Sequence, residues 1–194
     1  MKWNWQLDDW PNFSCSTDAI VAYEARFLQK SDMMLGAFKH LDSSEKQSLT
    51  IQLISEEALK TSEIEGEYLN RESLQSSIQR QFGLSSDKHS ITPAEQGIAE
   101  MMVNLYETYD VPLSHDVFYS WHKQLMRGRG DLEQVGKYRT HVDAMQVVSG
   151  AIHDPKVHFE APPSDRVASE MAAFISWFNL DPAVKNEKTG ESYW

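Results

Sequence analysis

Residues 42–66 read DSSEKQSLTIQLISEEALKTSEIEG, and this stretch predicts one long helix. The helix is expected to begin after the polar run Asp42-Ser43-Ser44 and to stop at Gly66, a usual helix terminator. Between these ends the apolar side chains recur at helical spacing, at Leu49, Ile51, Leu53, Ile54 and Leu59. A helix of this length in a chain of 194 residues indicates a mainly helical protein.

Similar patterns predict five more helices on either side of this one. The residues expected to open them are Ser16 or Thr17, Asn70, Thr92, Ser114 and Ser164. The start at Thr92 is the clearest, because Thr92-Pro93-Ala94-Glu95 combines a capping box with proline at the first helical position.

A different pattern lies between the last two helices. Met145–Ser149 and Lys156–Phe159 are short β-branched or aromatic segments, and Gly150 and the sequence 153–155 (His-Asp-Pro) separate them. This predicts a β-hairpin. The expected fold class is therefore all-α, mainly a helical bundle, with one small β-hairpin.

The polar connector 84–91 suggests how the chain is divided. We expect an N-terminal helical domain over residues 1–85, a second segment over 92–179 that includes the hairpin, and a polar tail over 180–194.

Composition excludes several classes of partner. The net charge of −11 argues against nucleic acid or an anionic membrane as the main partner, because both attract positive patches. No apolar stretch approaches the ~20 residues that span a bilayer, and no signal peptide is visible, so a cytoplasmic location is expected. Cys15, the only cysteine, is expected to be a buried and inert thiol.

The end of the long helix carries the first candidate site. Thr61 and Glu65 are four residues apart and so share one helical face. Glu65 stands in the last turn, where the negative end of the helix dipole disfavours a carboxylate. Its position indicates a cationic partner elsewhere, such as an arginine; the alternative is a solvated acidic helix end.

This segment resembles the inhibitory motif of Fic proteins, (S/T)-x-x-x-E-(G/N), which Thr61, Glu65 and Gly66 match. The surrounding sequence is similar to the helical domain that precedes the core in many bacterial Fic proteins. It shares with that domain the opening Trp5…Trp10-Pro11, the long first helix and the run Ser62–Glu67.

The later sequence is similar to the first part of the Fic core. That core has W-H near the end of a helix, then G-x-Y-R, a hairpin called the flap, P-P and another helix. Here these features are Trp121-His122, Gly136–Arg139, the hairpin at 145–159 and Pro162-Pro163. The two resemblances together cover residues 3–179.

Catalysis in the family depends on H-P-F-x-(D/E)-G-N-G-R-x-x-R, and the 194 residues contain no such motif. The resemblance therefore implies a Fic protein truncated before its catalytic motif, with no catalytic residue in this chain. ATP and Mg²⁺ belong to the complete family member, and neither is expected to bind tightly to this chain alone. Whether the chain is a natural truncation, a fragment or a frameshift stays open.

The resemblance also assigns roles to the two candidate sites. The complete protein would transfer AMP from ATP to a hydroxyl of a target protein, and Glu65 would inhibit this by pairing with the second arginine of the motif. The flap would dock the protein substrate by strand addition, through Met145, Gln146, Val147, Val148 and Ser149.

Several questions stay open at this point. The alternative to an autoinhibited adenylyltransferase is a non-catalytic module, either an antitoxin-like inhibitor of another Fic protein or a degenerate relative. A homodimer is left open. No metal site is expected, because His153, Asp154 and His158 follow no recognised ligand spacing.

Overall fold

The structure is a computed structural model that describes residues 2–12, 18, 20–84, 90–151 and 153–180. Cys15, the expected helix start at Ser16 or Thr17, most of the polar connector and the tail from residue 181 lie outside these ranges. Within them the chain forms a short 3₁₀ turn at Asn4–Gln6, six α-helices and one two-stranded sheet. In chain order the elements are α1 (Val21–Lys39), α2 (Ser43–Ile64), α3 (Arg71–Gln81), α4 (Pro93–Glu107), α5 (His115–Leu125), β1 (Gln146–Ala151), β2 (Asp154–Glu160) and α6 (Ser164–Leu180). The predicted fold class, mainly helical with one hairpin, is confirmed.

Side-chain caps define where most of these helices begin. Asp42 caps α2 in a reciprocal capping box with Glu45, in which each side chain accepts a hydrogen bond from the other's backbone N–H at 2.8–2.9 Å. Asn70 accepts from Ser73 N–H at 3.0 Å at the start of α3. Ser114 accepts from a backbone N–H at 3.3 Å at the start of α5. The predicted starts of α3 and α5 are confirmed, and α2 begins two residues earlier than predicted, directly after Asp42.

The described chain divides into two compact units that do not follow the order of the sequence. The first combines Met1–Lys39 with Tyr138–Ala172, and the second combines His40–Lys137 with the residues from Ala173 onward. The division falls within α6. The separate prediction of domains over 1–85 and 92–179 stays a prediction.

The second unit contains the buried core, which α2, α3 and α4 form together. Its members follow the spacing of one helical face in each helix, so the apolar stripes of the three helices meet. The core residues are Ile51, Ile54, Ala58, Leu74, Ile78, Ile98, Ala99 and Val103. Leu74 and Ile78 are completely buried. Leu53, which lies off this face, is 44% exposed.

The first unit contains the hairpin and the N-terminal tryptophans. Trp5 donates its indole N–H to the carbonyl oxygen of Glu160 at 2.7 Å, and its ring lies 5.2 Å from the guanidinium of Arg166. The Trp3 ring meets Phe159 edge-on, with 5.9 Å between centroids. These tryptophans therefore anchor residues 3–5 to the end of β2 and the start of α6.

Two apolar surfaces remain exposed in the described structure. Along α1, Tyr23 is 73% and Phe27 59% exposed, although their spacing is that of an apolar helix face. Trp177 in α6 is also largely exposed, at 62%. None of the helices in the described part of the chain combines the length and the apolar character that crossing a lipid bilayer requires.

Candidate functional site

The end of α2 is closed by a Schellman motif centred on Gly66. Gly66 N–H donates to the carbonyl of Glu63 at 3.1 Å, and Glu67 N–H donates to the carbonyl of Ser62 at 2.8 Å. The φ angle of Gly66 is +82°, a left-handed conformation that costs least for glycine and is next best tolerated by asparagine. A glycine or an asparagine directly after Glu65 thus has a backbone reason.

Thr61 and Glu65 lie one turn apart at this end, as predicted. Glu65 N–H donates to the carbonyl of Thr61 at 3.3 Å, and Glu65 is the residue that caps the C-terminal end of α2. The Thr61 hydroxyl donates to the Glu57 carboxylate at 3.1 Å. Within the ranges that the structure describes, no hydrogen bond or ion pair reaches the exposed Glu65 carboxylate.

Both side chains face an apolar cleft of about 630 Å³ in the second unit. Met101 and Met102 of α4 line it, together with Leu125 and Met126 at the end of α5. Methionine side chains are flexible and polarisable, and they suit surfaces that receive an apolar partner. The cleft therefore presents an apolar floor with a carboxylate at its rim.

Two glycines allow the walls of the cleft to come together. A Cβ atom at Gly97 of α4 would lie 2.0 Å from the carbonyl oxygen of Gln124 in α5, so only glycine permits this approach of the two helices. Gly128 follows α5 and has a φ angle of +89°. A Cβ atom added to Gly128 would lie 3.1 Å from Cβ of Pro93. The backbone at both contacts depends on the absence of a side chain.

Two arginines also line the cleft, and carboxylates already bind both. Arg127 donates two hydrogen bonds to the Glu100 carboxylate, one of them at 2.6 Å. This ion pair lowers the pKa of Glu100 and raises the pKa of Arg127. Arg129 binds Asp131 through two hydrogen bonds of 2.8 Å, which lower the pKa of Asp131 to about 2. Neither guanidinium is paired with Glu65.

The carboxylate of Glu95 is buried inside the second unit and holds the start of α4 in place. Only 4% of Glu95 is exposed, and its oxygens accept from the backbone N–H of Thr92 at 2.9 Å, the N–H of Asn70 at 3.1 Å and the hydroxyl of Ser73 at 3.1 Å. Burial alone would raise the pKa of Glu95, but these hydrogen bonds together hold it below the usual value. One carboxylate thus ties the start of α4 to the start of α3.

The motifs W-H and G-x-Y-R are each held by a specific hydrogen bond. The backbone N–H of Gly136 donates to Nδ1 of His122 at 2.8 Å, within the second unit. Within the first unit, Arg139 donates from its guanidinium to the carbonyl of Pro162, the first residue of P-P. The motif residues of the second resemblance therefore carry structural contacts of their own.

The predicted flap residues form an exposed strand. Gln146–Ser149 lie in β1, and Met145 precedes it with its carbonyl accepting from Ala161 N–H at 2.9 Å. Val147 is 57% and Val148 50% exposed, and among the described residues β1 pairs only with β2. One edge of β1 is thus left without a strand partner in the described structure.

No group of three or more His, Cys, Asp or Glu side chains in the described part of the chain could hold a metal ion. His153, Asp154 and His158 therefore do not form such a group.

A protein-family model described as "Domain of unknown function (DUF4172)" matches residues 3–84. This range contains α1–α3 and the segment Thr61–Gly66. No curated protein matches the chain.

Several contacts at the site were not foreseen from the sequence. The capping box predicted Glu95 only as a partner of Thr92, not of Asn70 and Ser73. Nothing local in the sequence showed that a cleft would open beside Met101 and Met102. The hydrogen bond from Gly136 to His122 joins residues 14 apart and has no signal in the sequence pattern.

Proposed function

We propose that this chain is the regulatory and target-docking part of a Fic-type protein adenylyltransferase. In this proposal Glu65 restrains the transfer of AMP from ATP, and β1 receives an extended segment of the target protein. The observation that carries it is the exposed carboxylate of Glu65 at the rim of an apolar cleft, with no partner among the described residues.

Such an arrangement suits a helix that has an apolar face and an arginine. The floor of Met101, Met102, Leu125 and Met126 would cover the apolar face. Glu65 would bind the guanidinium, since a carboxylate–guanidinium pair is strong and directional. An arginine bound in this way no longer offers its charge to the γ-phosphate of ATP, and inhibition follows from that competition.

The general base and the glycine-rich phosphate site are absent from these 194 residues. A segment that carries H-P-F-x-(D/E)-G-N-G-R-x-x-R would supply them, and it would also bind ATP and Mg²⁺. Backbone N–H groups at the N-terminus of a helix are the usual phosphate ligands in such a segment.

The hairpin supports the second half of the proposal. An exposed strand edge is normally blunted by charge, proline or cover, because it invites pairing with other chains. The edge of β1 carries Val147 and Val148 instead, and it pairs only with β2 in the described structure. Strand addition along β1 would give a target protein main-chain hydrogen bonds to this strand.

A binding experiment tests the inhibitory contact. The ligand is a fluorescent peptide that spans the motif and its following helix, and anisotropy reports its Kd for the chain. We expect Glu65→Gln to weaken binding about 10-fold, roughly 1.4 kcal/mol, because the substitution keeps the shape and removes the charge. Replacing the second arginine of the peptide by Gln should weaken binding by a similar factor.

The double-mutant cycle decides whether the two groups touch. If they pair, the two changes together should cost little more than either alone, with a coupling of about 1 kcal/mol. Glu63→Gln is the matched control: it removes the same charge from the same helix end, where Glu63 binds Lys60 at 2.7 Å. Additive effects, or an equal loss with Glu63→Gln, would refute the proposed contact.

A transfer assay tests the catalytic part of the proposal. The chain alone should transfer no labelled AMP above a heat-killed control, because it has neither the base nor the phosphate site. Joined to a Fic segment that carries the motif, it should transfer AMP. Clear self-labelling by the 194-residue chain would contradict this division of roles.

The accessible cleft also favours a second candidate, an inhibitor that acts on another polypeptide. The cleft is open to solvent in this chain, so a helix from a second protein could enter it. Added in trans to an active Fic enzyme, the parent chain should then lower its rate, and Glu65→Gln should lower it less.

A further inference from the structure

The hairpin contains an irregularity that places a histidine against a serine. Val147 is opposite Phe159, and the next residue, Val148, is opposite Val157. His158 is therefore an extra residue in β2, which makes this position a β-bulge. Its Nε2 lies 2.6 Å from the hydroxyl oxygen of Ser149. Bulges re-aim side chains and are common beside functional sites.

A cation completes the group. Lys156 is directly opposite Ser149 in the ladder, and residues that are directly opposite in an antiparallel pair point to the same face. Ser149, Lys156 and His158 are all exposed. A hydroxyl, an imidazole in hydrogen-bond contact with it and an ammonium group thus share one accessible face of the hairpin.

These three groups suit attack on phosphorus. A serine hydroxyl is a weak nucleophile unless a neighbouring base takes its proton, and a histidine within hydrogen-bond reach is the usual base. Negative charge develops on the non-bridging oxygens of a phosphoryl centre during attack, and a nearby ammonium stabilises that charge.

We propose that Ser149 is a nucleophile for electrophilic phosphorus, meaning an uncharged phosphonate or phosphate ester with a good leaving group, which excludes the charged phosphates of ATP. The Ser149 oxygen forms a bond to phosphorus, the bond from phosphorus to the leaving group breaks, and the hydroxyl proton passes to Nε2 of His158. Lys156 offsets the charge on the phosphoryl oxygens. This reactivity goes beyond the function proposed above and does not depend on it, because it needs neither ATP nor the catalytic motif.

A fluorophosphonate probe tests the proposal on the 194-residue chain itself. Intact-mass measurement over time gives the labelling rate, and peptide mapping locates the adduct. Ser149 should be labelled at least about 10-fold faster than Ser44, an exposed serine with no described hydrogen bond to a histidine. This is a conservative expectation, since general-base assistance typically contributes about 10²–10⁴-fold.

Substitutions separate proton transfer from a purely structural role. Ser149→Ala should remove the adduct from its peptide. His158→Gln can still hydrogen-bond to Ser149 but takes no proton, so it should reduce labelling of Ser149 to the rate of Ser44. Lys156→Gln should slow labelling a few-fold. Equal labelling of Ser44 and Ser149, or an unchanged rate in His158→Gln, would overturn the proposal.

Discussion

The contact between α4 and α5 gives a direct test of how the cleft is built. In Gly97→Ala the new methyl carbon would lie 2.0 Å from the carbonyl oxygen of Gln124 and 3.2 Å from Cβ of Arg127. Backbone atoms cannot turn aside as a flexible side chain can, so the two helices must separate. Overpacking of this kind costs about 1–3 kcal/mol, and at this distance we expect the upper end.

Two further effects set the net magnitude. Alanine is about 1 kcal/mol better than glycine inside a helix, which offsets part of the cost. Separation of the helices would also strain the pair of Arg127 with Glu100 and the hydrogen bond of 2.9 Å from Trp121 to Asn104. We therefore expect a net loss of about 2 kcal/mol in the free energy of unfolding, which for a chain of this length lowers Tm by roughly 4–8 °C.

Gly36→Ala is the matched control. Gly36 lies inside α1, and a Cβ built there meets nothing within 4 Å, so the same substitution should be neutral or stabilising by up to about 1 kcal/mol. Urea and thermal denaturation of both variants provide the comparison. If Gly97→Ala were as stable as Gly36→Ala, the close approach of α4 to α5 would be wrong, and with it the shape of the cleft.

Three further predictions concern the end of α2 and the buried carboxylate. In a chain completed with the catalytic motif, Glu65→Gly should raise self-adenylylation at least about 10-fold, and Glu63→Ala and Glu67→Ala should change it less than about two-fold; equal rates in all three would refute the inhibitory role. Gly66→Ala should cost about 1 kcal/mol in chemical denaturation because of its positive φ, and Gly66→Asn should cost less; equal costs would contradict the backbone reason. Glu95→Gln should cost about 1–3 kcal/mol at pH 7, because the amide turns a donor toward donors. Because folding lowers the pKa of Glu95, its carboxylate stabilises the fold above the unfolded pKa of about 4.3, and this stabilisation is lost as pH falls through the folded pKa. The free energies of unfolding of parent and variant, measured by urea titration, should therefore converge at low pH. A difference that stays constant with pH would refute this assignment.

The sequence predicted the features that depend on neighbouring residues. The starts of α3, α4 and α5 were predicted correctly because Asn70, Thr92 and Ser114 bond to backbone N–H groups three residues later. The end of α2 was predictable for the same reason, since Gly66 supplies the left-handed residue of its terminus. The hairpin was predicted from two short runs of β-branched or aromatic residues. Its strands pair further toward the turn than predicted, as far as Ala151 and Asp154.

Features that depend on distant residues were not predictable. Glu95 can be buried because two further groups donate hydrogen bonds to it, the N–H of Asn70 and the hydroxyl of Ser73, which lie 25 and 22 residues away in the sequence. Tyr23 and Trp177 are apolar residues within helices and yet are exposed, because the apolar spacing of a helix does not say whether another element covers its face. The bulge at His158 is a property of the register between two strands, and no single strand reveals it.

The three residues of the proposed inhibitory motif have different physical roles, so the inhibition proposed for Glu65 would be separable from folding. Gly66 ends the helix, and Thr61 binds Glu57 within it, so both act through local structure. Glu65 has no described partner, and the dipole at the end of α2 opposes its charge. The core of α2 lies further back, at Ile51, Ile54 and Ala58, and does not depend on Glu65. A carboxylate in this position keeps its full capacity to bind an incoming arginine, because no bond within the described structure has to break first.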